Sequence, residues 1–186
     1  MIYIVLSLGS GGHVGLWPKY WVFLQNFAWP IEDFFGVSWS LAIEEWFYFT
    51  FPLGMLLAGK MIGNKPRAYW ITAIVYVIAP FVLRLLVIET QQNIPWDASV
   101  RKVVMCRLDA TMFGVIVAGF SILRPKIWDR LKHPACLLSG AVFVALGCAL
   151  LETGSNGVAY AFTFIPLGWA LCLGPAVSFQ LRSGSW

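Results

Sequence analysis

Two adjacent carboxylates, Glu44 and Glu45, interrupt one of the most apolar and aromatic stretches of the chain, which reads S-W-S-L-A-I-E-E-W-F-Y-F-T-F-P from Ser38 to Pro52. Read as a helix, this stretch sets Ser40, Glu44 and Tyr48 at i, i+4 and i+8, with Phe51 at i+11 and Pro52 after it. At 3.6 residues per turn these side chains stack along one stripe. A hydroxyl, a carboxylate and a phenol then line one face, and the carboxylate could handle protons or accept a hydrogen bond from a catalytic group elsewhere and orient it. Carboxylates in apolar surroundings resist ionisation and can exchange protons near neutrality. An ionisable group inside a membrane span costs about 2.5–3.5 kcal/mol on insertion scales, so it is expected to face a cavity or a partner. Glu44 lies on the stripe; Glu45 falls about 100° round from it and is assigned to a wider polar network.

That network includes Arg84, Arg107 and Asp109, all within apolar runs. Arg107 and Asp109 are two residues apart, so on one helix they point to different faces and each is expected to meet another helix. Two pairings stay open: Arg107 with Glu44, and Asp109 with Arg84. Whether such pairs are structural bridges or face a substrate also stays open, and Arg84 could instead snorkel to the outer interface. Gly114, three residues beyond Thr111, would permit close helix packing. His13 in the loop Gly9 to His13 and His133 after a basic segment read as loop and surface groups. The spacings of Cys106, Cys136, Cys148 and Cys172 match neither a zinc site nor a redox pair, so these residues read as small hydrophobes within helices. No metal-ligand cluster, Walker loop or G-x-S-x-G elbow is present.

The elements that must position these groups follow from composition. The 186 residues are 59% hydrophobic and only 12% charged, about half the charge of a soluble domain, and the mean hydropathy is +0.74. The expected fold is all-α, a polytopic transmembrane helix bundle of about five spans. These cover Ser40 to Gly59, Ala68 to Ile88, Val103 to Leu123, Ala135 to Leu151 and Val158 to Phe179. Met1 to Leu8 is apolar but too short to cross, and reads as a partial N-terminal helix; no cleavable signal peptide is visible. Trp17, Tyr20, Trp21 and Trp29 fit an interfacial aromatic belt. Lys60, Lys65 and Arg67 cluster in one loop and Arg124, Lys126, Arg130 and Lys132 in another, an even number of spans away, so both are placed in the cytoplasm and Ser40 toward the outside. The formal charge of +4 forms no basic stripe, and no nucleic-acid partner is expected.

The central stretch resembles the membrane acyltransferase-3 family, whose motif S-x-x-x-E-x-x-x-Y-x-x-F-P is met at Ser40, Glu44, Tyr48, Phe51 and Pro52. Phe23 to Phe27 upstream, and Arg107-Leu108-Asp109 with Phe113-Gly114 downstream, resemble the family in the same order. The likeness covers Trp21 to about Ala118. It implies an integral-membrane O-acyltransferase, multi-pass in a bacterial inner membrane, that moves an acyl group, in particular acetyl, from acyl-CoA to a carbohydrate hydroxyl. It implies no tightly bound cofactor and names no cofactor-binding residue. Ser40, Glu44 and Tyr48 would be catalytic. The family's earlier helix with an arginine and a catalytic histidine, its basic motif and its last helices have no counterpart here. The resemblance therefore implies the middle of such an enzyme, inactive alone and partnered with the missing N-terminal half. The alternatives are a small transporter fragment, in which Glu44, Arg84, Arg107 and Asp109 form a pathway, and a non-catalytic membrane scaffold.

Overall fold

Gly63 ends one long helix and Asn64 begins the next. The computed structural model describes residues 17–30, 38–90 and 95–183, and every regular element among these is helical. A short helix, α1 (Trp17–Trp21), precedes α2 (Trp39–Ile62). Gly63 takes the left-handed conformation at φ 68° and its N–H bonds back to Gly59 O at 3.0 Å, a conformation glycine adopts without a Cβ penalty. Asn64 Oδ1 then accepts from the Arg67 N–H at 3.0 Å, capping α3 (Lys65–Thr90). Pro66 sits in that first turn, where a missing N–H costs nothing.

A π-helical turn (Asp97–Arg101) and a 3-10 turn (Val104–Cys106) lead into α4 (Leu108–Leu123). A short helix, α5 (Pro125–Leu131), α6 (Ala135–Leu151) and α7 (Ser155–Ser183) follow. α2, α3 and α7 are long and apolar enough to cross a membrane. α5 and α6, bent by 73°, make a fourth span if taken together. Each of the five expected stretches holds a helix, but α4 is short: its 16 residues rise about 24 Å at 1.5 Å per residue, against a hydrocarbon core of about 30 Å.

The third span starts later than expected because residues 97–106 fold as irregular turns against the segment around Asn26. Val104 N–H donates to Asn26 O at 2.9 Å and Met105 N–H to Phe27 O at 3.1 Å. Asn26 is fully buried, and its Nδ2 donates to the carbonyls of Trp39, at 3.2 Å, and Lys102. Non-helical backbone is tolerated at depth only when protein groups satisfy it in this way.

Aromatic packing fixes the rotation of α2. Phe47 stacks on Phe51 with centroids 5.4 Å apart, and Tyr76 of α3 meets both edge-on. Ala42, Ile43 and Phe47 are buried as a result. α6 and α7 approach through glycines: a Cβ on Gly168 would lie 2.6 Å from Gly140 O and 2.9 Å from Val144 N. Such contact needs small residues, the usual device where helices pack in lipid. Of the expected belt, Trp21 and Trp29 are exposed but Tyr20 is buried. Met1 to Leu8 and His13 lie outside the described residues.

Candidate functional site

The polar side chains singled out in the sequence separate into a sealed cluster, an orphaned cation and an open stripe. In the sealed cluster, Arg84 and Asp109 are both fully buried. Arg84 Nη1 donates to Asp109 Oδ1 at 3.0 Å and Nη2 to Oδ2 at 2.7 Å, the bidentate fork geometry. Nη1 also donates to Cys106 O at 2.6 Å and Nη2 to Thr163 Oγ1 at 2.5 Å. The guanidinium thus joins α3, the start of α4 and α7. Of the two open pairings, Arg84 with Asp109 is the one made. Arg84 does not snorkel, because its partners lie in the bundle rather than at the interface. Its Nε has no acceptor among the described residues.

Arg107, the residue before α4, does not meet Glu44. Its guanidinium lies over the Phe162 ring at 4.3 Å from the centroid. Nε and Nη1 are buried with no hydrogen-bond partner among the described residues. Arg107 also heads an open cleft of about 390 Å³ between α4 and α7, lined by Ala110, Gly114, Pro166, Trp169 and Leu173 among others.

Ser40, Glu44 and Tyr48 share one side of α2 and all three are exposed, Tyr48 by 61%. No hydrogen bond or ion pair joins any of them to another described residue. Phe51, at the lower end of the same stripe, turns onto the core against Phe47 and Tyr76. Glu45 is exposed as well and borders a cleft of about 430 Å³ with Val22, Phe23, Trp46 and Phe49. The side of α2 that carries the chemistry is therefore not the side that packs on the other described residues. The structure brings Arg84 and Asp109 together and sets Arg107 beside them; it does not bring Glu44 to that group.

Sequence reasoning missed three contributors. Thr163 supplies the hydroxyl that completes the Arg84 shell, and Phe162 the ring beneath Arg107. Thr163 is the one threonine between Val158 and Phe179, which was its signal. Asn26 was legible only within a resembling motif, and its work is to tie residues 102–105 to the start of α2. Phe23 beside it holds a left-handed backbone, φ 56°, and its carbonyl accepts from Trp46 Nε1 at 2.8 Å. Among the described residues no group of His, Cys, Asp and Glu could hold a metal. All four cysteines are free; Cys136, Cys148 and Cys172 lie within helices and Cys106 in the 3-10 turn before α4. His133 is exposed, and its Nδ1 accepts from the Ala135 N–H at 3.2 Å.

Comparison with protein-family models, with curated proteins and with solved structures returned no match to this chain.

Proposed function

We propose that the chain is part of an integral-membrane O-acyltransferase of a bacterial cytoplasmic membrane, in which α2 presents Ser40, Glu44 and Tyr48 to a reaction cavity. The supporting observation is the uncovered stripe. An apolar helix that keeps a hydroxyl, a carboxylate and a phenol in register on a side with no partner among the described residues gains nothing in stability from them there. The resemblance of this motif to the acyltransferase-3 pattern supplies the reaction.

In that reaction an acceptor sugar hydroxyl attacks the thioester carbonyl of an acyl-CoA. A new C–O bond forms, the C–S bond breaks, and the hydroxyl proton passes through a base to the leaving thiolate. Tyr48 and Ser40 donate to the developing oxyanion, and Glu44 holds the acceptor hydroxyl or orients the base. The chain's described residues offer no base near the stripe, so the 186-residue chain is expected to be inactive by itself, with a second polypeptide segment closing the cavity over α2. The transporter reading has less support: a pathway through Glu44, Arg84, Arg107 and Asp109 would have to cross a pair whose carboxylate oxygens are both engaged.

The test is Glu44→Gln in the cell that makes the protein, with ester-linked acetate on its surface polysaccharide measured after mild alkaline release. Acetate should fall to the level of a deletion strain while the variant stays in the membrane fraction. Glu45→Gln should retain most of it. Equal acetate in wild type and Glu44→Gln would sink the proposal.

A further inference from the structure

The cluster around Arg84 does not balance in charge. Arg84 and Arg107 bring two guanidiniums to one buried carboxylate, and Arg84 takes both oxygens of Asp109. Arg107 is left with two buried nitrogens unpaired and a ring, not an anion, beneath it. A buried cation without a counter-charge is costly and calls for an anion at the same depth.

The cleft that Arg107 heads has the shape to deliver one. On α4 its lining runs Arg107, Ala110, Gly114, at i, i+3 and i+7, so it follows the helix axis. On α7 its lining runs from Ile165 to Leu173, about 12 Å at 1.5 Å per residue. That covers most of one leaflet of a hydrocarbon core about 30 Å thick. Apart from Arg107 the lining residues are apolar. Gly114 leaves the floor open: a Cβ built there meets nothing within 4 Å.

We propose that this cleft is a binding site for an anionic glycerophospholipid of the surrounding bilayer, with one acyl chain between α4 and α7 and its phosphate paired with Arg107. Charge complementarity at one end and an apolar channel running along both helices below it together select a lipid over a free anion. The site is built from α4 and α7 and does not depend on the acyl-transfer reading of α2.

The experiment places the full chain in nanodiscs of phosphatidylcholine with phosphatidylglycerol and counts retained lipids by native mass spectrometry after gentle release. Wild type should retain phosphatidylglycerol in preference to phosphatidylcholine. Arg107→Gln should weaken that preference about tenfold or more, the scale of one lost charge-assisted contact. Gly114→Leu, which fills the channel at a position with free space and leaves Arg107 in place, should also abolish it; this variant decides the matter if Arg107→Gln does not fold. No phosphatidylglycerol preference in wild type, or an undiminished one in Gly114→Leu, would overturn the proposal. So would full displacement of the lipid by glycerol 3-phosphate, which would mark a site for the free anion.

Discussion

Replacing Asp109 with Asn tests whether the Arg84 cluster holds the bundle together. The amide keeps the shape of the carboxylate but loses its charge and one acceptor, while Arg84 stays fully buried. Two charge-assisted bonds, at 2.7 and 3.0 Å, are weakened or lost, and Thr163 and Cys106 cannot neutralise the guanidinium. Removing one partner of a buried ion pair costs about 3–5 kcal/mol, because the other charge is left uncompensated. Against a total stability of about 5–15 kcal/mol this is a large share, and Arg107 beside the pair adds a second unbalanced cation. Unfolding of the purified protein in mild detergent, followed by helical circular dichroism against added SDS, should show a strong shift to lower denaturant. The double change Arg84→Met with Asp109→Leu removes both charges, and buried pairs replaced by apolar residues of similar size are often neutral or stabilising. The double variant should therefore be more stable than Asp109→Asn. If Asp109→Asn unfolds like wild type, or the double variant is the least stable of the three, the cluster is not a structural clamp.

Three other outcomes follow from the packing. Asn26→Ala should cost about 1–3 kcal/mol, since the carbonyls of Trp39 and Lys102 lose their side-chain donor; the same denaturation series reads it. Gly168→Val should separate α6 from α7, because the added carbons fall inside contact distance of backbone at Gly140 and Val144; a cysteine cross-link between these helices, efficient in the parent, should fail. Asp97 is held below the usual aspartate range first by its hydrogen bond to Arg101 and then by that to Lys102, whose Nζ lies 2.7 Å from it. A lowered folded-state pKa means the stabilisation is present above the unfolded value and disappears as pH falls through the folded one. The group is partly exposed, so the effect is small, and it should appear as faster amide exchange in residues 97–102 only below about pH 4.

Helix content was legible in the sequence because long apolar runs leave few alternatives in lipid, and Gly63 and the loop at Asn64 to Arg67 marked one boundary well. The start of α4 was not. Val103 to Leu123 has the hydropathy of a span throughout, yet α4 begins only at Leu108, because Asn26 and Phe27, far away in the chain, bond to the backbone of Lys102, Val104 and Met105. Local pattern carries no record of such a partner. The pairing of Arg84 with Asp109 was one of two options that spacing left open, and depth decides it: Arg84 lies near the end of α3 and Asp109 in the first turn of α4. The stripe on α2 was legible as a register but not as a direction. Its outward rotation comes from Phe47 and Phe51 binding Tyr76, which competes for the same helix from the other side.

The rotation of α2 bears on what Glu44 is for. Each buried charge in this bundle that serves the fold has its partners close at hand, as the four hydrogen bonds of Arg84 show. A carboxylate kept for stability would be expected to look the same. Glu44 instead sits on an aromatic helix whose core face is already filled by Ala42, Ile43 and Phe47, and among the described residues it bonds to nothing. Only 17% of the span window of α2 is buried, less than in α3 or α7, so of these three spans α2 has the most surface left for another helix or for a substrate. A leucine at position 44 would suit lipid better by several kcal/mol on insertion scales. A glutamate there fits the proposal made above, in which a reaction cavity closes over Ser40, Glu44 and Tyr48 and gives all three groups a polar partner.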